Sequence, residues 1–165
     1  ALYRFSSFQR LPTGIQQQII RHYSKIYAVG SVAEGNPGLF FYRKMLDLLR
    51  ENGKRVVVYT TPLNRSLLDS YTMLDWDEYR LNMALFRSLA EARGAFFIDT
   101  NDGPDQIDLL ESDFHDTDHT LDGGGAKVGR YLWLRSACFL FGQCQPTRAD
   151  SGQPDMVGKA CGRLE

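Results

Sequence analysis

The stretch Arg55-Val-Val-Val-Tyr-Thr60 constrains the fold more than any other part of the chain. A β-branched run bounded by Gly53 and Pro62 reads as a strand. Its hydrophobicity is continuous rather than alternating, the pattern of a strand buried on both faces, as in a parallel sheet. From about Trp76 to Arg93 the sequence is helical, with Leu81, Ala84, Leu85, Leu89 and Ala92 along one face and Gly94 as its stop. Ala95-Phe-Phe-Ile-Asp99 follows as a second short apolar strand. Strand, helix, strand in that order is a β-α-β crossover, which is parallel and right-handed almost without exception. Val56–Thr60 and Ala95–Asp99 are therefore expected to be neighbours in one sheet.

Upstream, Ile15, Ile19, Tyr23 and Ile26 recur at helical spacing and predict an amphipathic helix over residues 13–27. The turn-rich segment Gly30 to Gly38 breaks it. Leu39, Tyr42, Met45, Leu46 and Leu49 mark a second helix that stops at Asn52-Gly53. Downstream, a polar loop from Thr100 to His119 leads through Gly123, Gly124 and Gly125 into a last helix ending near Phe141. Its inward face is predicted as Gly125, Val128, Gly129, Leu132, Ser136 and Phe139. Two strands make a thin sheet. Ile26-Tyr-Ala-Val29 supplies a third if it is not the end of the first helix. Otherwise the sheet borrows strands from another copy, or the chain is the latter part of a domain whose N-terminal half lies elsewhere. Residues 1–141 thus form an α/β domain or its C-terminal part, and 142–165, rich in Gln, Pro, Asp, Ser and Gly, a loosely ordered tail.

A formal net charge of −1, with Lys and Arg scattered, gives no electrostatic reason to expect nucleic acid. No apolar stretch reaches the roughly 18 residues of a membrane span. The start, Ala1-Leu-Tyr-Arg-Phe, lacks an initiator Met and the zones of a signal peptide, so the chain reads as trimmed or partial. Cys138, Cys144 and Cys161 fit no zinc template. Cys138 reads as a buried thiol, and a Cys144–Cys161 disulfide is one possible pairing of the other two.

Ligands of open parallel sheets bind beyond the carboxyl ends of the strands. Two segments leave strands there: Thr60-Thr-Pro-Leu-Asn64 and the loop from Asp99 to His119. The second holds His115, Asp116, Asp118 and His119 within five positions, in a chain with three histidines. An imidazole with a pKa near 6.5 can take a hydroxyl proton at neutral pH. A carboxylate on its other nitrogen fixes the tautomer and stabilises the cation. The structural alternative is that Asp116 caps a turn, Asp118 caps the last helix and both histidines are solvated. Asn64, tempting as an oxyanion donor, reads more simply as the cap of a following helix.

The order Val56-Val-Val-Tyr-Thr-Thr-Pro62, helix, Phe97-Ile-Asp99, then Asp116-Thr-Asp-His119 with Gly124 five residues on, resembles the C-terminal half of SGNH/GDSL hydrolases over about residues 37–141. The resemblance implies a three-layer, flavodoxin-like parallel sheet flanked by helices, and serine esterase or acyltransferase chemistry on an ester or acylated sugar. It implies His119 as general base, Asp116 as its orienting carboxylate, and no cofactor. Periplasmic or extracellular placement follows by the same analogy, with a cytoplasmic one left open. The family's G-D-S nucleophile motif is absent. The nearest phrase, Val29-Gly-Ser-Val-Ala-Glu-Gly35, makes Ser31 the candidate nucleophile. The family blocks carrying the oxyanion-hole Gly and Asn have no counterpart here.

Two other readings remain open. His115-Asp-Thr-Asp-His119 resembles the H-x-H-x-D-H of metallo-β-lactamase-like hydrolases, with Asp116 where the second His belongs. That reading is a metal-dependent hydrolase drawing further ligands from Asp99, Asp102, Asp105 or His22. The missing nucleophile motif instead favours a non-catalytic SGNH-like module that binds a glycan or a protein.

Overall fold

A computed structural model describes residues 8–27, 30–33 and 35–142 of the chain. Helix α1 spans Thr13–Tyr27 and α2 spans Pro37–Glu51, followed by strand β1, Val57–Tyr59. Then come α3 (Arg65–Ser70), α4 (Trp76–Glu91), strand β2 (Phe96–Ile98) and α5 (Asp122–Phe141). The fold is mixed α/β around a two-stranded sheet.

β1 and β2 pair in parallel, with Val57 opposite Phe96, Val58 opposite Phe97 and Tyr59 opposite Ile98. This is the pairing expected from the two apolar runs. The crossover holds two helices rather than one. α3 was not anticipated: Asn64 caps it by accepting from the Leu67 amide at 3.2 Å, and its Leu67 and Leu68 are buried. α4 begins at Asp75, whose carboxylate accepts from the amides of Asp77 and Glu78. Those two acidic residues in the first turn complement the helix dipole.

The buried face of α4 differs from the one expected. Met83, Phe86 and Ala90 join Leu46, Ala95 and Phe97 in the principal core, whereas Leu81 is 67% exposed and Ala84 and Ala92 face solvent. Leucine and alanine spacing had marked a stripe about one position out of register with the true one. The aromatic and Met side chains, larger in area, decide the packing.

Ile26 and Tyr27 close α1, so the alternative of a strand at Ile26–Val29 fails for those two residues; Ala28 and Val29 lie outside the described residues. Ile15, Ile19 and Ile20 rest on a second small core of Phe8, Leu11 and Leu67. α2 starts where Asn36 accepts from the Gly38 and Leu39 amides and stops, as expected, at Asn52 and a left-handed Gly53.

Phe139 of α5 stacks on Phe96, with ring centroids 5.6 Å apart. Neighbouring residues of a strand face opposite ways. α5 therefore lies on one side of the sheet, and α2 and α4, packed around Phe97, on the other. The inward face of α5 is also partly corrected. Gly125 and Gly129 are exposed; Gly124 and Ser136 are buried, with Val128, Leu132 and Phe139 half-buried. A Cβ on Gly124 would stand 2.5 Å from the Asp113 carbonyl oxygen, so only glycine lets the helix start there.

Cys138 is half-buried and disulfide-bonded, which corrects the free-thiol reading. Cys144 and Cys161, like the tail 143–165, lie outside the described residues. No helix among the described residues is long and apolar enough to cross a membrane.

Candidate active site

Both strands end in polar residues that bind each other. Asp99 accepts through one oxygen from the Tyr79 hydroxyl (2.7 Å), the Asn101 amide (3.0 Å) and the Thr60 hydroxyl (3.1 Å). Asn101 donates through Nδ2 to Thr61 O and to the Tyr79 hydroxyl, and accepts from the Leu63 amide at 2.6 Å. This network fixes where the chain leaves β1 and β2. It also occupies one oxygen of Asp99, and Asp99 is not in the three-residue group of possible metal ligands found among the described residues. Asp102 is held by Arg80 and Arg65, and the buried Asp105 by Arg135 and Arg87.

The loop beyond β2 returns to the sheet end as a tight turn. Phe114 bridges Thr120 in antiparallel fashion, and the His115 amide donates to His119 O at 2.8 Å. Asp116 sits at the tip and accepts through Oδ1 from the backbone amides of His119 (2.9 Å) and Asp118 (3.2 Å). A short carboxylate that bonds the backbone two and three residues on is a turn former. The turn-capping role of Asp116 is thus real, and it coexists with a contact to His119. Asp118 does not cap α5, whose first residue follows Leu121 without a side-chain cap.

Asn64 clamps the turn from the opposite strand end. Its amide donates to Thr117 O at 2.7 Å, and its Nδ2 donates to Asp116 O at 3.1 Å. With Oδ1 on Leu67, Nδ2 on Asp116 O and only 1% of its surface exposed, Asn64 is not presented to an oxyanion. The helix-cap reading holds, with the clamp added.

His119 Nδ1 lies 2.9 Å from Asp116 Oδ1 and 3.0 Å from Oδ2. The Asp116 side chain is 10% exposed and that of His119 68%. With Nδ1 directed at a carboxylate, Nε2 is left facing outward. The Asp116 hydrogen bond raises the His119 pKa above its usual 6.5, partial burial opposes it, and the charges of Asp116 and Asp118 add to the rise.

Asp118 also faces His119. Its Oδ1 lies 3.0 Å from His119 Nδ1 and is shielded from solvent outside directed hydrogen-bond geometry, while the Asp118 carboxylate helps to raise the pKa values of the neighbouring Tyr23 and Tyr27 hydroxyls. A single N–H on Nδ1 serves Asp116, so the Asp118 contact is one of charge rather than a directed bond. Asp116, Asp118 and His119 together bring three ligating atoms within 4.8 Å. His115 is not a member of that group, so the four candidate ligands read from this segment of the sequence reduce to three.

Two tyrosines of α1, not singled out for the site from sequence, cover the turn. The Tyr23 hydroxyl is 3.3 Å from His119 Nδ1 and 3.5 Å from Asp116 Oδ2. Tyr27 donates to Thr117 Oγ1 at 3.4 Å. Their rings stack at 5.7 Å, one helical turn apart. Burial first, and then the negative charge of Asp116, pushes the Tyr23 pKa up to about 12, so its hydroxyl keeps its proton. The signal was present as the i, i+4 spacing of two aromatics with polar tips.

Ser31 lies in the exposed segment between α1 and α2. Asn82 of α4 ties that segment down on either side of it, accepting from the Val32 amide at 2.8 Å and donating to Gly30 O at 3.4 Å. Ser31 makes no hydrogen bond to Asp116 or His119 among the described residues. Val32 and Asp118 nevertheless line the same cavity, of about 440 Å³, at the carboxyl end of β1. His22, the other proposed metal ligand, is exposed and packs edge-on against Tyr23.

No protein-family model, curated protein or solved structure matches the chain.

Proposed function

We propose that the protein is a serine esterase or O-acyltransferase of SGNH type, acting on an ester or an acylated sugar. One observation carries the reading: a nearly buried carboxylate on Nδ1 of an exposed histidine, at the carboxyl end of a parallel sheet, with Nε2 left open. Asp116 fixes the tautomer and stabilises the imidazolium. His119 Nε2 takes the hydroxyl proton of Ser31 as Ser31 Oγ bonds to the ester carbonyl carbon. The same proton passes to the departing alcohol as the carbon–oxygen ester bond breaks. Water or an acceptor hydroxyl then releases the acyl group from Ser31 by the reverse proton path. Tyr23, which keeps its proton, positions the dyad.

On this reading the sheet, with helices on either side, is the core of a three-layer flavodoxin-like fold, and further strands come from another copy or another part of the polypeptide. The Cys138 disulfide accords with periplasmic or extracellular placement, since such bonds persist in oxidising compartments. A fluorophosphonate probe tests the chemistry. Labelling mapped to Ser31, abolished in His119→Ala, is the expected result. Turnover of short esters without modification of Ser31 would remove it as nucleophile, and no reaction at all would favour a binding module.

A second reading has its own observation. Asp118 Oδ1, shielded and without a donor, completes a set of three atoms able to hold zinc or manganese. Loss of activity with a chelator, restored by metal, would transfer the chemistry to that set. In that case Asp118→Asn should be as damaging as Asp116→Asn.

A further inference from the structure

We infer that the cavity beside the dyad is the receptor for the apolar acyl chain of a neutral ester. The substrate class rests on the hydrolase reading, whereas the binding site rests on the cavity itself. Its volume, about 440 Å³, falls in the range of small-molecule sites. The walls are the side chains of Ile26, Val32, Leu63, Leu74, Met83 and Phe86. Met83 and Phe86 also pack against the principal core, so they form the inner end. Ile26, 46% exposed, lies on the outer rim, and Asp118, whose side chain is 29% exposed, lines the cavity and is in contact with His119. A chain lying inward from the rim therefore leaves its ester group at the dyad.

Charge selects the occupant. No Lys, Arg or His lines the cavity among the described residues, and its one carboxylate is that of Asp118, beside His119. Phosphates and free carboxylates are repelled there, while a neutral ester is accepted. Thr60 and Asn101, which also line the space, already bond to each other and to neighbouring groups, so the wall holds few unpaired polar atoms. Asn82 keeps the segment carrying Val32 in place as one wall through its bonds to Gly30 and Val32. At the roughly 30 Å³ that a water-sized group occupies in a liquid, the space holds at most about fifteen such groups, room for a chain on the order of ten carbons without complete filling.

Two measurements on the folded protein test this. The first is a titration with decan-2-one, a neutral and unreactive ketone, followed by the methionine methyl NMR signals. The Met83 methyl should shift saturably, while Met45, half-exposed on α2, stays as an internal control. Ile26→Trp, at a partly exposed rim position, should weaken binding at least about tenfold without unfolding the protein. The second compares p-nitrophenyl esters of increasing length. kcat/KM should climb about fourfold per added methylene and level off near ten carbons. In Ile26→Trp it should level off earlier.

Absence of a saturable Met83 shift in folded protein overturns the cavity as a binding site, whatever the esters do. A Met83 shift with no ester turned over leaves the cavity standing and removes the hydrolase reading. Turnover that ignores chain length overturns the cavity as acyl receptor and leaves the dyad intact.

Discussion

The carboxyl end of the sheet and the outer faces of α2 and α5 are built on opposite principles. At the sheet end, Asn64, Asp99, Thr100 and Asn101 are nearly inaccessible, yet each is bonded to chain from another element. Burying polar groups costs little when every partner is supplied, and the resulting network fixes one geometry. On the flanks, Phe41 is 69% exposed, Leu48 60%, Trp133 57% and Leu134 59%. Large apolar side chains exposed in such number are the kind of surface at which association is tested first. The site end is specified by this chain's own residues, and its flanks are not. Substitutions at the two places should therefore differ in kind: loss of function or fold at the first, loss of association at the second.

The largest effect is expected from His119→Ala. It should lower ester turnover by about 10³-fold or more, as removal of a general base does, and leave the unfolding midpoint almost unmoved because the ring is mostly exposed. Asp116→Asn should lower turnover on the order of a hundredfold and move the acidic limb of the pH–rate profile to lower pH. The proposed general base is neutral His119, and Asp116 is what lifts its pKa. The stability side has its own sign. A raised folded-state pKa contributes stability fully below the unfolded value near 6.5 and loses it as pH rises through the folded value. The pH-dependent part of the Asp116→Asn destabilisation should thus be greatest below about pH 6.5 and shrink as pH rises through the folded-state value of His119. Urea melts at several pH values check it.

Asn64→Ala should cost about 1–3 kcal/mol in denaturant melts, the usual penalty for stranding buried polar partners, and weaken activity through a loosened turn. Gly124→Ala should cost about as much or slightly less by forcing a methyl against the Asp113 carbonyl. Smallest for folding are Phe41→Lys and Leu48→Lys, expected within about 0.5 kcal/mol. These two should instead shift light-scattering mass towards monomer if the flanks self-associate. An unaltered monomer before and after substitution would remove that half of the contrast.

The sheet was readable because its information is local: two apolar runs, a glycine stop and a connection of the right length leave one topology. The dyad was readable because Asp116 and His119 are three residues apart, near enough for one turn to join them. α3 escaped notice because six residues give too little periodicity, and its cap, Asn64, was recognised without the helix it caps. The α4 face was misplaced because Leu81 and Ala84 are apolar yet exposed, a distinction that only the surrounding elements make. Tyr23 and Tyr27 lie 93 and 90 positions from the residues they touch. No window along the chain contains that contact.

The clamp from Asn64 to Asp116 spans 52 positions, which sets an order of events as well as a geometry. Its donor and acceptor meet only after the crossover helices have folded and β2 has docked on β1. Loop closure over that length delays such contacts relative to local ones. Hydrogen exchange should therefore find the Thr117 turn among the last regions protected during refolding. In the native protein it should open no more often than the whole β-α-β unit, because its anchor lies within that unit.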